Sequence, residues 1–148
     1  MLQRMATVET GDDVYGEDPS INKLERRMAD LCEKEDSLFC TTGTLSNQLG
    51  LRSLLTVPPY SVVCDEACHV NVYEASGLAY LSRAQTITIA ASNDKYITVD
   101  EIKKKIVVDD GDVHCAPTRV ISLENTINGV VSIFTYLEPC FLTCGLIV

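Results

Sequence analysis

Apolar residues at 21, 24, 28 and 31 recur at helical spacing behind Asp18-Pro19, a start signal, so a first helix is expected from Pro19 to about Glu33. Its other face carries Glu25, Arg26, Arg27 and Asp30. The short apolar run at 37–40 reads as a buried strand, broken by small and polar residues at 41–44. Helical spacing resumes through Leu45, Leu49 and Leu54 and ends at Pro58-Pro59, and 61–64 reads as the next strand. Residues 70–82 are expected to form one helix and 85–90 a strand. Thr98 and Glu101 fit a capping box ahead of a helix carrying Ile102 and Ile106. The β-branched run at 119–123 reads as a last strand, ending in Glu124-Asn125-Thr126. Strands alternating with helices imply an α/β fold with a largely parallel sheet.

Composition narrows the function classes. Hydrophobic residues make up 46% of the 148, aromatics 6%, and Trp is absent, so the core is expected to be aliphatic. At 22% charged, the chain has apolar surface enough to fold. A net charge of -9 disfavours nucleic acid, because phosphate contacts need a basic stripe. The densest basic cluster, Lys103, Lys104 and Lys105, is followed by Asp109, Asp110 and Asp112 and reads as the solvated face of a short helix. No apolar run approaches the roughly 20 residues needed to cross a bilayer. The first residues lack a signal-peptide core, so a cytoplasmic location is expected. Seven cysteines, an odd number without a secretion signal, argue against a disulfide framework. Neither Cys64/Cys68 nor Cys140/Cys144 forms a zinc pattern with His69 or His114, and no metal is expected.

Three strand ends carry the candidate chemistry: 41–44, 65–69 and 124–128. In open α/β sheets, ligands bind beyond the carboxyl ends of strands. A turn that opens a helix offers unpaired amides and the positive end of the helix dipole, and Gly43 admits close approach by a phosphate. On its own, such a turn is more often an ordinary cap. No Lys follows a Gly-rich run and there is no GxGxxG, so a nucleotide loop is not indicated. His69 is suited to stacking on a planar ring or carrying a proton near neutral pH, but taken alone such a residue is more often an ordinary hydrogen-bonded histidine.

Taken together, the stretches GDDVYGEDP (11–19), LFCTTGTLSNQ (38–48), CDEACHVNVYEASG (64–77) and DGDVHCAPTRVISLENT (110–126) resemble successive blocks of the threonine aldolases, in that family's order and spacing. The similarity spans about residues 5–130 and is greatest to the fungal, low-specificity type. The resemblance implies an incomplete fold-type I, pyridoxal-phosphate-dependent, transferase-like large domain with three layers and a mostly parallel sheet. Residues 1–130 would belong to that domain and 131–148 form a divergent tail outside it. The implied activity is cleavage of threonine or allo-threonine to glycine and acetaldehyde by a homo-oligomer.

By the same resemblance, Thr42, Gly43 and Thr44 correspond to the turn that holds the cofactor phosphate. His69 corresponds to the histidine that lies on the pyridine ring and serves as the catalytic base for the substrate hydroxyl. Glu124 and Asn125 correspond to a strand end beneath the cofactor, and Tyr15 to a tyrosine near the subunit interface. The pattern also departs from the family. The family's opening Arg-Ser-Asp-Thr segment has no counterpart, and Ile127 stands where many bacterial members have His. Lys23, Lys34, Lys95 and Lys103 to Lys105 match no cofactor-anchoring lysine, so the chain by itself is expected to be inactive. Two other readings are a non-catalytic fragment that joins full-length subunits and a related β-eliminating amino-acid lyase. The ordered GDDVYGEDP and SLENT blocks favour the aldolases over the latter.

Overall fold

The computed structural model describes residues 1–127, Gly129 and the backbone of Gly145–Ile147. Residue 130, most of the expected tail at 131–148, and Cys140 and Cys144 lie outside the described residues. Two compact units follow one another along the chain, Met1–Thr41 and Thr42–Val148.

The first unit contains α1 (Leu2–Thr7), a 3-10 turn at Asp13–Tyr15 and α2 (Pro19–Leu31). Asp18 caps α2 as its sequence position implies, accepting the amides of Ser20 at 2.9 Å and Ile21 at 3.0 Å. It also accepts the Gly11 amide at 3.1 Å, which ties the preceding loop to the helix start. The amides of Ile21, Gly11 and Ser20 hold the Asp18 carboxyl below the usual carboxylate range. Gly11 is required there, since a Cβ would lie 2.2 Å from the Glu17 carbonyl oxygen.

Only Ala29 of α2 is buried, and the expected apolar stripe at Leu24, Met28 and Leu31 remains largely open. The strand expected at 37–40 is a correction: the segment is irregular, with Leu38 70% exposed. Its polar groups turn back onto α2 instead of meeting a strand. Ser37 Oγ donates to the Glu25 carbonyl at 2.6 Å, and the Phe39 amide donates to Glu25 Oε1 at 2.7 Å.

The second unit runs α3 (Gly43–Leu54), β1 (Ser61–Asp65), α4 (His69–Val72), α5 (Gly77–Tyr80), β2 (Gln85–Ile89), α6 (Val99–Lys103), β3 (Thr118–Leu123) and β4 (Gly145–Ile147). The sheet is parallel throughout, in the order β2-β1-β3-β4. Side chains alternate across it with a period of two. Val62, Cys64 and Val120 face a core shared with Leu51 of α3 and its C-cap Leu55, Val70 of α4 and Leu78 of α5. Val63, Ile89 and Leu123 face the other way, against Ile102 of α6 and Ile97. Apolar clusters thus lie on both faces of the sheet, and the expected three-layer α/β arrangement is observed.

The helix expected over 70–82 is divided into α4 and α5. Ala75 and Ser76, between them, have φ of 49° and 59°, a left-handed conformation that ends one helix before the next begins. The capping box of α6 is formed: Glu101 Oε2 accepts the Thr98 amide at 2.7 Å and the Thr98 hydroxyl at 2.6 Å, and Glu101 Oε1 accepts the Ser92 amide. Donation by Thr98, with the Ser92 amide behind it, holds the Glu101 carboxyl at about 2.

Candidate active site

Thr42 is the N-cap of α3, and its hydroxyl accepts the Leu45 amide at 3.1 Å. Among the described residues, the amides of Gly43 and Thr44 have no acceptor in the protein. The space over Gly43 is open, with no heavy atom within 4 Å of a Cβ built there. Two free N–H groups, an exposed backbone and the positive end of a 12-residue helix make a start to which a phosphate dianion is suited.

One turn further along α3, Asn47 and Gln48 are buried although both are polar. They occupy the same inward stripe as Leu51 and Leu55 because the spacing is helical. Their side-chain amides donate to the two oxygens of Glu74, Asn47 Nδ2 to Oε1 and Gln48 Nε2 to Oε2, each at 2.7 Å. The Glu74 side chain is fully buried, and its Oε1 also meets His69 Nδ1 at 2.9 Å. His69 therefore stands two hydrogen bonds away from the first turns of α3. Its side chain is half-exposed, with the Tyr73 ring tilted at 5.6 Å. Among the described residues, Nε2 has no hydrogen-bond partner.

The main chain of His69 is held from another direction. Asp65 ends β1 and turns the chain, its Oδ1 accepting the Ala67 amide at 2.8 Å. Cys68 is the N-cap of α4 but has no side-chain capping bond. The Glu124 carboxylate, at the end of β3, accepts the His69 amide in its place. Glu124 therefore meets the backbone of His69, and Glu74 meets its ring. Cys64, behind this turn, is a core thiol, pushed up by its hydrogen bond with Cys68 and by burial.

The structure thus brings His69, Glu124 and the Thr42 helix into one hydrogen-bonded assembly. Asn125 directly follows Glu124 and is exposed. Tyr15 belongs to the first unit and is 78% exposed. A cleft of about 250 Å³ is lined by Asp65, Glu66 and Ile127 of the strand ends at 65–69 and 124–128, together with Lys95 among others, but His69, Glu124 and Asn125 do not border it. Asn47, Gln48 and Glu74 escaped the sequence reading. For the first two the signal was present, as adjacent polar residues on the apolar stripe of a helix. Glu74 gave none, because two of its three partners lie 26 and 27 residues away along the chain.

A three-layer parallel sheet with a histidine and an open helix start beyond its strand ends is the frame of a ligand-binding α/β enzyme domain. Comparison with known proteins agrees: the Beta-eliminating lyase family profile matches residues 1–140, and the chain belongs to that family. Over 131 residues it is 50% identical to the low-specificity L-threonine aldolase of Eremothecium gossypii, covering 88% of this chain and 34% of that protein. The corresponding Saccharomyces cerevisiae enzyme is 49% identical, with the same coverage. Among solved structures, a candidate aromatic amino acid beta-eliminating lyase/threonine aldolase from Exiguobacterium sp. 255-15 superposes with a TM-score of 0.68 at 26% identity, over 95% of this chain and 37% of that one. The Leishmania major threonine aldolase shares the fold, with a TM-score of 0.68 at 20% identity over 89% of this chain and 37% of that one. The chain spans about a third of the length of the curated relatives it matches.

Proposed function

We propose that these residues are part of a pyridoxal-phosphate-dependent aldehyde lyase that cleaves L-threonine or L-allo-threonine to glycine and acetaldehyde by retro-aldol chemistry, the 148 residues being inactive on their own. The observation that carries this reading is the continuous hydrogen-bonded path from the His69 ring, through Glu74, to the helix whose open start is Thr42, Gly43 and Thr44. It gives physical substance to a similarity shared with the fungal L-threonine aldolases.

In this reading the amides of Gly43 and Thr44 bind the cofactor phosphate, helped by the α3 dipole and the Thr42 turn. When bound, pyridoxal phosphate supplies the electron sink for the pair released as the Cα–Cβ bond breaks. His69 would stack on the cofactor ring, and its Nε2 would take the β-hydroxyl proton of the substrate. Glu124 fixes the height of His69 through the backbone, with Asn125 beside it at the strand end. No residue of these 148 is assigned to covalent anchoring of the cofactor.

Further parts of the proposal concern context. The open apolar positions of α2 and exposed Tyr15 suit a homo-oligomer with Tyr15 near the contact. The five described cysteines are all free thiols, which suits the cytosol. Among the described residues, no helix is long and apolar enough to cross a membrane.

The test is a chimera in which residues of this chain replace the matched third of the S. cerevisiae enzyme. Glycine formation from threonine, lost on His69→Ala and weakened by Gly43→Asp, is the expected result. A folded, cofactor-loaded chimera with no activity, or one indifferent to His69→Ala, would overturn the assignment.

A further inference from the structure

Glu74 links the two parts of the site and performs no step of the scheme above, yet it is a buried carboxylate with three side-chain partners and a side chain wholly shielded from solvent. Burying a carboxylate is costly unless hydrogen bonds compensate, and here each oxygen receives an amide N–H at 2.7 Å. An ionised carboxylate only accepts hydrogen bonds. With both oxygens already accepting amide N–H groups, the carboxylate is placed to accept from the third partner too, so the geometry favours a proton on His69 Nδ1, 2.9 Å away. A neutral imidazole holds one proton only, so its lone pair then lies on Nε2, the nitrogen without a partner among the described residues. The hydrogen bond made by one ring nitrogen decides the state of the other.

We propose that Glu74 is a positioning residue that fixes the ring orientation and tautomer of His69, so that Nε2 is presented as the base. The inference rests on the reading that His69 works on the substrate hydroxyl, and it adds the residue that prepares it. Asn47 and Gln48 belong to the same assembly: they orient the carboxylate from α3, the helix whose start receives the phosphate. The phosphate turn and the base are thereby referenced to one rigid element. Gly77 completes the arrangement, because a Cβ there would lie 2.7 Å from Gln48 Nε2.

A merely structural Glu74 makes no demand on the tautomer, and an unconstrained neutral imidazole favours the proton on Nε2. The two cases separate in the 148-residue chain without cofactor. The protein has two histidines, so ¹⁵N-histidine labelling gives two imidazole patterns, and His114→Gln assigns them. On the alkaline side of the titration, long-range ¹H–¹⁵N spectra are expected to show His69 with a protonated, pyrrole-type Nδ1 and a bare, pyridine-type Nε2. The opposite pattern in the parent protein overturns the proposal outright.

Glu74→Ala is expected to abolish the Nδ1–H preference. Glu74→Gln is expected to restore it, since an amide oxygen still accepts from Nδ1 while Gln48 turns its unpartnered Oε1 toward the new N–H. A folded Glu74→Ala protein that keeps the Nδ1–H form counts against the proposal. If that variant loses its dispersed amide spectrum, the parent and Glu74→Gln patterns decide. Adding pyridoxal phosphate then tests the underlying reading separately: the His69 signals should move and those of His114 should not. An Nδ1–H form that ignores the cofactor would defeat the cofactor assignment while leaving the Glu74–His69 coupling in place.

Discussion

Replacing Gly77 by Ala tests the buried polar assembly through a residue that makes none of its hydrogen bonds. A Cβ at this position would sit 2.7 Å from Gln48 Nε2, 2.8 Å from Cδ and 3.1 Å from Oε1. Gln48 is the far end of a flexible side chain, which would normally yield cheaply. Here it is only 5% exposed and held to Glu74 at 2.7 Å. Making room for the methyl therefore means giving up that bond. A hydrogen bond to a charged group contributes about 1.5–3 kcal/mol. Against this, Ala in place of Gly returns roughly 0.5–1 kcal/mol through backbone entropy. The net expectation is a loss of about 0.5–2.5 kcal/mol, from the difference of those two terms. Urea unfolding followed by far-UV circular dichroism measures it as a lower midpoint. A double-mutant cycle with Gln48→Ala isolates the mechanism, since without the amide the added methyl has nothing to displace. A Gly77→Ala protein as stable as its parent, or costs that add in the cycle, would refute the reasoning.

Three further outcomes are expected. Ser76→Gly relieves a left-handed residue with φ of 59° and should stabilise the chain by about 0.5–1 kcal/mol in the same unfolding assay; no gain would mean the turn is not strained. Gly43→Asp puts a carboxylate at the first position of α3, where the helix dipole favours it by about 0.3–1 kcal/mol, yet it should weaken pyridoxal phosphate binding at least about tenfold in an absorbance titration. Unchanged binding would remove the phosphate from that helix start. Glu101, lowered from its ordinary 4.5 to about 2, contributes stability that is complete above the ordinary value and disappears as pH falls through about 2. Glu101→Gln should abolish this part of the acid sensitivity, and identical pH profiles for the two proteins would contradict the cap geometry.

Much of the sheet was legible because its strands are β-branched runs bounded by clear punctuation. Residues 61–64, 85–90 and 119–123 appear within a residue of β1, β2 and β3. Helix starts were legible where a side chain does the capping, as at Asp18 and Thr98. The run at 37–40 misled because its apolar character matches a strand while its hydrogen bonds go to Glu25, a partner no local pattern reveals. The break between α4 and α5 was hidden because Ala75 and Ser76 are not residues that usually adopt positive φ. At the site, His69 was visible as a type just past a strand end and the 42–44 turn as a helix start, although the strand expected before that turn is absent. The carboxylate behind the histidine was not, since three contacts spanning 5 to 27 residues create it.

Glu124 grips the main chain of His69 from β3, while Glu74 grips its ring from the opposite end of the side chain. With its main chain held at the root and Nδ1 held at the ring, the side chain has few rotamers left to lose. Immobilising a free one on binding costs about 0.5–1.5 kcal/mol, and here that ordering is already complete before any ligand arrives. On the proposed reading the imidazole would then serve as a fixed wall, and a planar ligand docking on it would find its surface ready-made.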